Sequence, residues 1–148
     1  MYDQFVIDTT SLISTFDKVF EKPPRISGSS IALIRKTLLN YEDSPKMIIP
    51  SIVIIEIYDK WIRTEEFRVK FNSEVYFQLN NSLHTEIKPI ESEIVEILLI
   101  LRRKGCTFDI HDRMVLATAM LHNCPLITSD AKIISFVQAT KVIPLIFS

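Results

Sequence analysis

Residues Asp109 to Asp130 constrain this chain more than any other stretch. They read as a helix led by acids, with Val115, Leu116, Ala119 and Met120 on its apolar side. A short buried strand follows, Pro125-Leu126-Ile127-Thr128, and then another acid. A helix that runs straight into a short apolar strand is part of a crossover unit, the building block of a parallel sheet. Small Ala119 on the apolar side lets such a helix approach the sheet closely.

The rest of the chain repeats the pattern. Phe5-Val6-Ile7 is a buried strand ending at Asp8, followed by Thr9, Thr10 and Ser11, all able to cap a helix. Leu12, Ile13, Phe16, Val19 and Phe20 then recur at helical spacing up to Pro23-Pro24. A polar linker, residues 25–30, precedes a second helical stripe at Ile31, Ile34, Leu38 and Tyr41. Met47-Ile48-Ile49-Pro50 predicts a second strand, and Ser51 a cap for a helix through Glu56 to Trp61. The β-branched run Ile52 to Ile55 has strand propensity, but Val53, Ile57 and Trp61 repeat at four.

Phe67, Phe71, Val75 and Leu79 predict a helix between Glu65 and Ser82. Glu86-Ile87-Lys88-Pro89-Ile90 reads as an edge strand because of Pro89. A helix with Ile94, Leu98 and Leu101 should end at Arg102-Arg103-Lys104-Gly105, a basic last turn followed by glycine. A short helix, Ala131 to Val137, and a fifth strand, Val142 to Ile146, complete the alternation. The expected architecture is α/β: a three-layer α/β/α sandwich around a central, mainly parallel sheet of four to five strands. With 148 residues and 47% hydrophobic composition, one domain spanning 1–148 is expected.

Several function classes drop out on composition. Glycine occurs only at Gly28 and Gly105, so no glycine-rich phosphate loop exists for a P-loop or dinucleotide site. The 17 basic and 18 acidic residues give a net charge of −1 and no basic tail, so bulk charge does not favour nucleic acid. Cys106 and Cys124 are too few and too irregular for a disulfide scaffold or a thiolate zinc site. Buried thiols, the absence of a basic leader and the lack of a long apolar run predict a cytoplasmic chain without a membrane span.

The acids carry the chemistry. Asp8 ends the first strand, Glu56 sits about one and a half turns into the helix after the second, and Asp130 lies just past the fourth. Positions beyond the carboxyl ends of parallel strands gather where strand order reverses, so these acids point to one crevice. Asp112 starts its helix at the end opposite an ordinary strand exit, so topology alone does not bring it, through residues 105–111, to the same edge. Clustered carboxylates raise one another's pKa, and a hard divalent cation such as Mg²⁺ or Mn²⁺ resolves the repulsion. A lone acid after a strand is more often a helix cap; the set in matching places argues otherwise.

Four blocks in order resemble the motifs of PIN-domain ribonucleases, above all the VapC-type toxins of VapBC systems. They are Phe5 to Thr9, Ile49 to Glu56, Asp112 to Ala119, and Pro125 to Asp130. The resemblance implies a metal-dependent endoribonuclease using Mg²⁺ or Mn²⁺, an RNA substrate, a small antitoxin partner and a homodimer. It places the family's acids at Asp8, Glu56, Asp112 and Asp130. The family's hydroxyl near the last acid falls on Thr128 or Ser129. Thr10 stands where the family often has Asn or Ser, and Asp109 resembles an extra acid some members carry.

Chemistry then suggests roles. Asp8 and Asp130 would ligate metal directly, and Asp112 and Glu56 directly or through water. Thr128 would hydrogen-bond Asp8 or a metal-bound water, with Ser129 and Thr9 as further supporting positions. Asp109 is equally a helix cap or an auxiliary ligand. Arg113 is a surface or ion-paired residue, or contacts RNA phosphate. His111 and His122 read as solvent-facing and as packed or capping, respectively, and Arg102-Arg103-Lys104 as a basic helix end or a phosphate rim. A catalytically silent PIN-like module that binds RNA or protein is the alternative. A phosphoryl-accepting enzyme would want a second Asp where Thr10 stands, and a receiver domain an acid pair that is absent.

Overall fold

β1 (Gln4–Ile7) forms the centre of a five-stranded parallel sheet in the computed structural model, which describes residues 2–144 and 146–148. Asp8 caps α1 (Thr9–Thr15), and α2 (Asp17–Phe20) follows after a break at Phe16, so the first helical stripe is two short helices. α3 (Gly28–Leu38) starts earlier than its apolar stripe suggests, because the Ser27 hydroxyl accepts from the Ser30 backbone N–H at 3.2 Å. β2 (Lys46–Pro50) leads without a loop into α4 (Ser51–Lys60). The β-branched run is therefore helical: Ile52, Val53 and Ile54 pack into the core while Ile55 faces solvent.

The long stripe from Phe67 to Leu79 is helical but not uniform. α5 (Glu65–Phe71) and α6 (Phe77–Asn81) are joined by a π-helical turn, Asn72–Tyr76. An apolar repeat of four overshoots an α-helical turn by about 40° at each step. A wider turn offsets that drift and keeps Phe71, Val75 and Leu79 all buried.

β3 (Thr85–Lys88) is the edge strand, as Pro89 requires. α7 (Glu93–Arg103) ends before Gly105, whose φ of 85° lets the chain turn into α8 (Ile110–Leu121). β4 (Leu126–Ile127), α9 (Ala131–Thr140) and β5 (Ile146–Phe147) complete the fold. β5 is shifted toward the C-terminus from the expected Val142 to Ile146. Pro144 has no N–H for the ladder, Leu145 lies outside the described residues, and pairing begins at Leu126 with Ile146.

Consecutive strand residues point to opposite faces, yet Phe5, Val6 and Ile7 are each at most 2% exposed. Both faces of the sheet are therefore covered by helices, and one apolar cluster runs through both layers. Strand order is β3-β2-β1-β4-β5. Chains leaving β1 and β4 depart in opposite directions along the sheet, which opens a crevice at their carboxyl ends. Among the described residues no helix is long and apolar enough to cross a membrane.

Candidate active site

Asp8 lies at that crevice. The Asp8 N–H donates to the Ile127 carbonyl at 3.4 Å, which extends the β1–β4 pairing to the acid itself. Its Oδ1 accepts from the Ser11 N–H at 2.8 Å and stands 2.6 Å from the Ser11 hydroxyl oxygen. That hydroxyl is also 2.9 Å from the Ile127 carbonyl, so one buried serine ties β1, α1 and β4 together. Burial lifts the Asp8 pKa above the usual carboxylate value. Hydrogen bonds from Ser11 and from the Thr128 side chain oppose the lift, and the Asp130 charge adds to it.

Asp130 caps α9 as Asp8 caps α1. Its Oδ1 accepts from Lys132 N–H at 2.8 Å and Ile133 N–H at 3.1 Å. The Asp130 N–H donates to the Thr128 hydroxyl oxygen at 3.1 Å. Thr128 is fully buried and bridges the two acids: it accepts from one residue's backbone and bonds the other's side chain. Thr9 and Ser129 are half-buried beside Asp8 and Asp130.

Glu56 projects from α4 with its side chain 16% exposed, Oε2 lying 3.8 Å from Lys60 Nζ and 3.7 Å from His111 Nδ1. His111 faces a carboxylate rather than open solvent, and this contact brings the start of α8 to α4. α8 begins at Ile110, two residues before Asp112, because Asp109 caps it by accepting from the Asp112 N–H at 3.1 Å. Asp112 thus sits in the first turn. Its pKa is raised to about 6, by burial first and then by the charges of Asp109, Asp130, Glu56 and Asp8. The passage 104–109 does carry Asp112 to the edge where the other acids lie.

The acids share a field without closing into a cage. Among the described residues, no group of three or more His, Cys, Asp or Glu side chains is arranged to hold a metal ion. The capping bonds on Asp8 and Asp130 all fall on Oδ1, and mutual repulsion holds ionised carboxylates apart. In donor chemistry the set fits a hard divalent ion: carboxylate oxygens, no thiolate, and one carboxyl whose pKa is raised by burial and then by its neighbours' charge.

Other candidates fall elsewhere. Arg113 is half-buried, and its Nε has no hydrogen-bond partner among the described residues. His122 caps the C-terminus of α8 and lies 3.1 Å from Glu91. Arg102, Arg103 and Lys104 are exposed at the end of α7. Cys106 and Cys124 are buried, unpaired thiols, and burial pushes Cys124 up to about 11. A hollow of about 650 Å³ lined by Tyr2, Phe5, Pro45 and Phe147 lies toward the amino ends of β1 and β2, away from the acids. The positioning role of Ser11 is not evident from the sequence reading beyond capping; its signal is the Asp-x-x-Ser spacing, which returns a hydroxyl to the capping carboxylate.

Residues 28–138 match the family model described as PIN domain. Asp8 precedes the matched segment. No curated protein matches the chain. Among solved structures, a chain of VapBC2 from Rickettsia felis, bound to a DNA fragment from their promoter, is 18% identical with a TM-score of 0.61, covering 98% of this chain and 99% of its own. A chain of FitAcB from Neisseria gonorrhoeae is 15% identical with a TM-score of 0.65, over 97% and 96%. A chain of DNA-bound VapBC from Salmonella typhimurium is 18% identical with a TM-score of 0.63, over 98% and 97%.

Proposed function

The chain belongs to the PIN-domain family, and from that premise we propose that it is a divalent-metal-dependent endoribonuclease, the toxin of a toxin–antitoxin pair. One observation carries the reading: acids from four separate stretches of chain, Asp109, Asp130, Glu56 and Asp8, lie close enough to Asp112 to add, after burial, to the rise of its pKa. Structural economy alone does not gather like charges at a sheet edge.

In this reading Asp8, Asp112, Asp130 and Glu56 hold Mg²⁺ or Mn²⁺. When bound, the ion supplies Lewis acidity toward a phosphodiester oxygen and lowers the pKa of a bound water. Asp8 and Asp130 are aimed by the N–H groups of the helices they cap, and Thr128 couples their orientations. Glu56 orients the attacking water, with the Lys60 ammonium balancing its charge and His111 Nδ1 3.7 Å away. The domain spans 1–148 and acts in the cytoplasm, where RNA is available. Exposed Leu39, Tyr41, Val69 and Phe77 supply apolar surface for a small antitoxin and for a second copy of the chain.

The open arrangement of the acids favours one alternative, a silent PIN-like module that binds RNA or protein. Cleavage of single-stranded RNA in Mn²⁺, abolished by EDTA and by Asp8→Asn with the fold intact, separates the two. Cleavage that survives both treatments overturns the metal mechanism, and no cleavage by the unmodified chain in Mn²⁺ or Mg²⁺ favours the silent module.

A further inference from the structure

A small cleft of about 130 Å³ is lined by Thr10, Lys22, Pro23, Arg25 and Trp61 among others. Two of these residues belong to elements that also carry acids of the site. Thr10 is in the first turn of α1, which Asp8 caps. Trp61 ends α4, five residues beyond Glu56, or about 7 Å along the helix axis. We infer that this cleft is the nucleic-acid subsite next to the acids, where Lys22 and Arg25 take a backbone phosphate of single-stranded RNA and Trp61 takes a base. The inference rests on the ribonuclease reading and names how its substrate is held.

The chemistry of the cleft fits that ligand. A chain of net charge −1 with acids at its reaction centre repels a polyanion unless cations stand nearby. Lys22 and Arg25 are exposed, and among the described residues neither forms a salt bridge. Pro23-Pro24 fix the backbone between them, and the Arg25 N–H donates to the Ser14 hydroxyl at 2.9 Å, which pins the segment to α1. The backbone that carries the two cations is therefore held in place.

Trp61 supplies the stacking surface. Phe20 meets it edge-on, with ring centroids 5.7 Å apart and an interplanar angle of 83°. Lys22 Nζ lies 5.8 Å from its centroid, so the ring already faces the cation that would hold the phosphate. Aromatic platforms beside basic side chains bind single strands with little sequence preference, because every base has a π-face. An acidic peptide would match the cations but gains nothing comparable from the indole face.

Trp61 is the only tryptophan in the chain, so fluorescence excited selectively at the indole reads this cleft alone. Titration with a short single-stranded oligouridine in EDTA should quench it saturably, and added salt should weaken the binding. Lys22→Gln with Arg25→Gln, both exposed, should weaken binding on the order of tenfold. The same pair should raise KM for Mn²⁺-dependent cleavage and leave kcat unchanged. Read through KM because both variants lack the fluorophore, Trp61→Phe should stay near the unmodified value, since it keeps a ring, and Trp61→Ala should raise KM. Cleavage-competent protein whose fluorescence ignores RNA overturns this inference and leaves the ribonuclease reading standing. Saturable quenching in a chain that never cleaves sinks the ribonuclease reading and keeps the subsite. Quenching by an acidic peptide but not by RNA overturns the assignment to nucleic acid.

Discussion

The Ser11 hydroxyl oxygen stands 2.6 Å from Oδ1 of Asp8, inside a region from which water is excluded. Asp8 is 5% exposed, and burial favours its neutral form. The hydroxyl offsets part of that effect, so Ser11 helps keep the acid ionisable and pointed at the crevice. Ser11→Ala leaves the backbone cap bond in place and removes this contact together with the one to the Ile127 carbonyl. Removing a group that orients a ligand typically costs about 10–100-fold in metal affinity or activity. Cleavage by the Ser11→Ala chain should fall within that range, and its acidic limb should move to higher pH. An unchanged pH profile would show that Asp8 does not need the hydroxyl.

Asp130 has two roles that substitution can separate. Asparagine caps a helix about as well as aspartate but is a poor ligand for a hard cation, whereas alanine does neither. Asp130→Asn should abolish metal-dependent cleavage and keep the melting temperature of the metal-free chain. Asp130→Ala should abolish cleavage and also cost about 1 kcal/mol through loss of the bonds to Lys132 and Ile133. Equal stability losses in the two variants would mean that the charge, and not the cap, holds α9.

The strands were the most legible part of the chain. Apolar runs as short as Phe5-Val6-Ile7 cannot span a helix, and both-face burial gives them no polar alternation. Asp8 and Asp130 were legible for the same reason, since each closes such a run. Asp112 was not placed by periodicity: its position depends on the tertiary path of residues 104–109, and the helix it was expected to start begins two residues earlier, at Ile110, with Asp109 as the cap. The contact between His111 and Glu56 was hidden too, because it joins two helices far apart in sequence. The π-turn left its trace as an apolar repeat of four, a spacing an α-helix also tolerates over short lengths. β5 shifted because one proline outweighs the β-propensity of Val142 and Ile143.

Asp112 predicts a pH dependence of stability in metal-free protein. Its carboxyl has a pKa of about 6 in the folded chain against an ordinary 3.8, so the folded state binds the proton more tightly. Its contribution to stability is therefore fully present below pH 3.8 and is lost as the pH rises through about 6. In EDTA, the difference in melting temperature between Asp112→Asn and the unmodified chain should widen in favour of the asparagine variant from about pH 4 to about pH 7. A constant difference across that range would place Asp112 outside the field of the other acids.

Metal should reverse that penalty. A cation that binds only the folded chain stabilises it by about 2.7 kcal/mol at 100 times its dissociation constant. For a domain of this length, each kcal/mol is worth about 2–4 °C. Saturating Mn²⁺ near neutral pH should therefore raise the melting temperature by roughly 5–10 °C, and EDTA should remove the gain. Protons compete for the same carboxylates, so the rise should shrink below the Asp112 pKa of about 6. Asp8→Asn should abolish most of it, because Asp8 and Asp130 lie at the carboxyl ends of the paired strands β1 and β4 and would be among the ion's ligands. A shift of the same size in Asp8→Asn would place the metal elsewhere on the molecule.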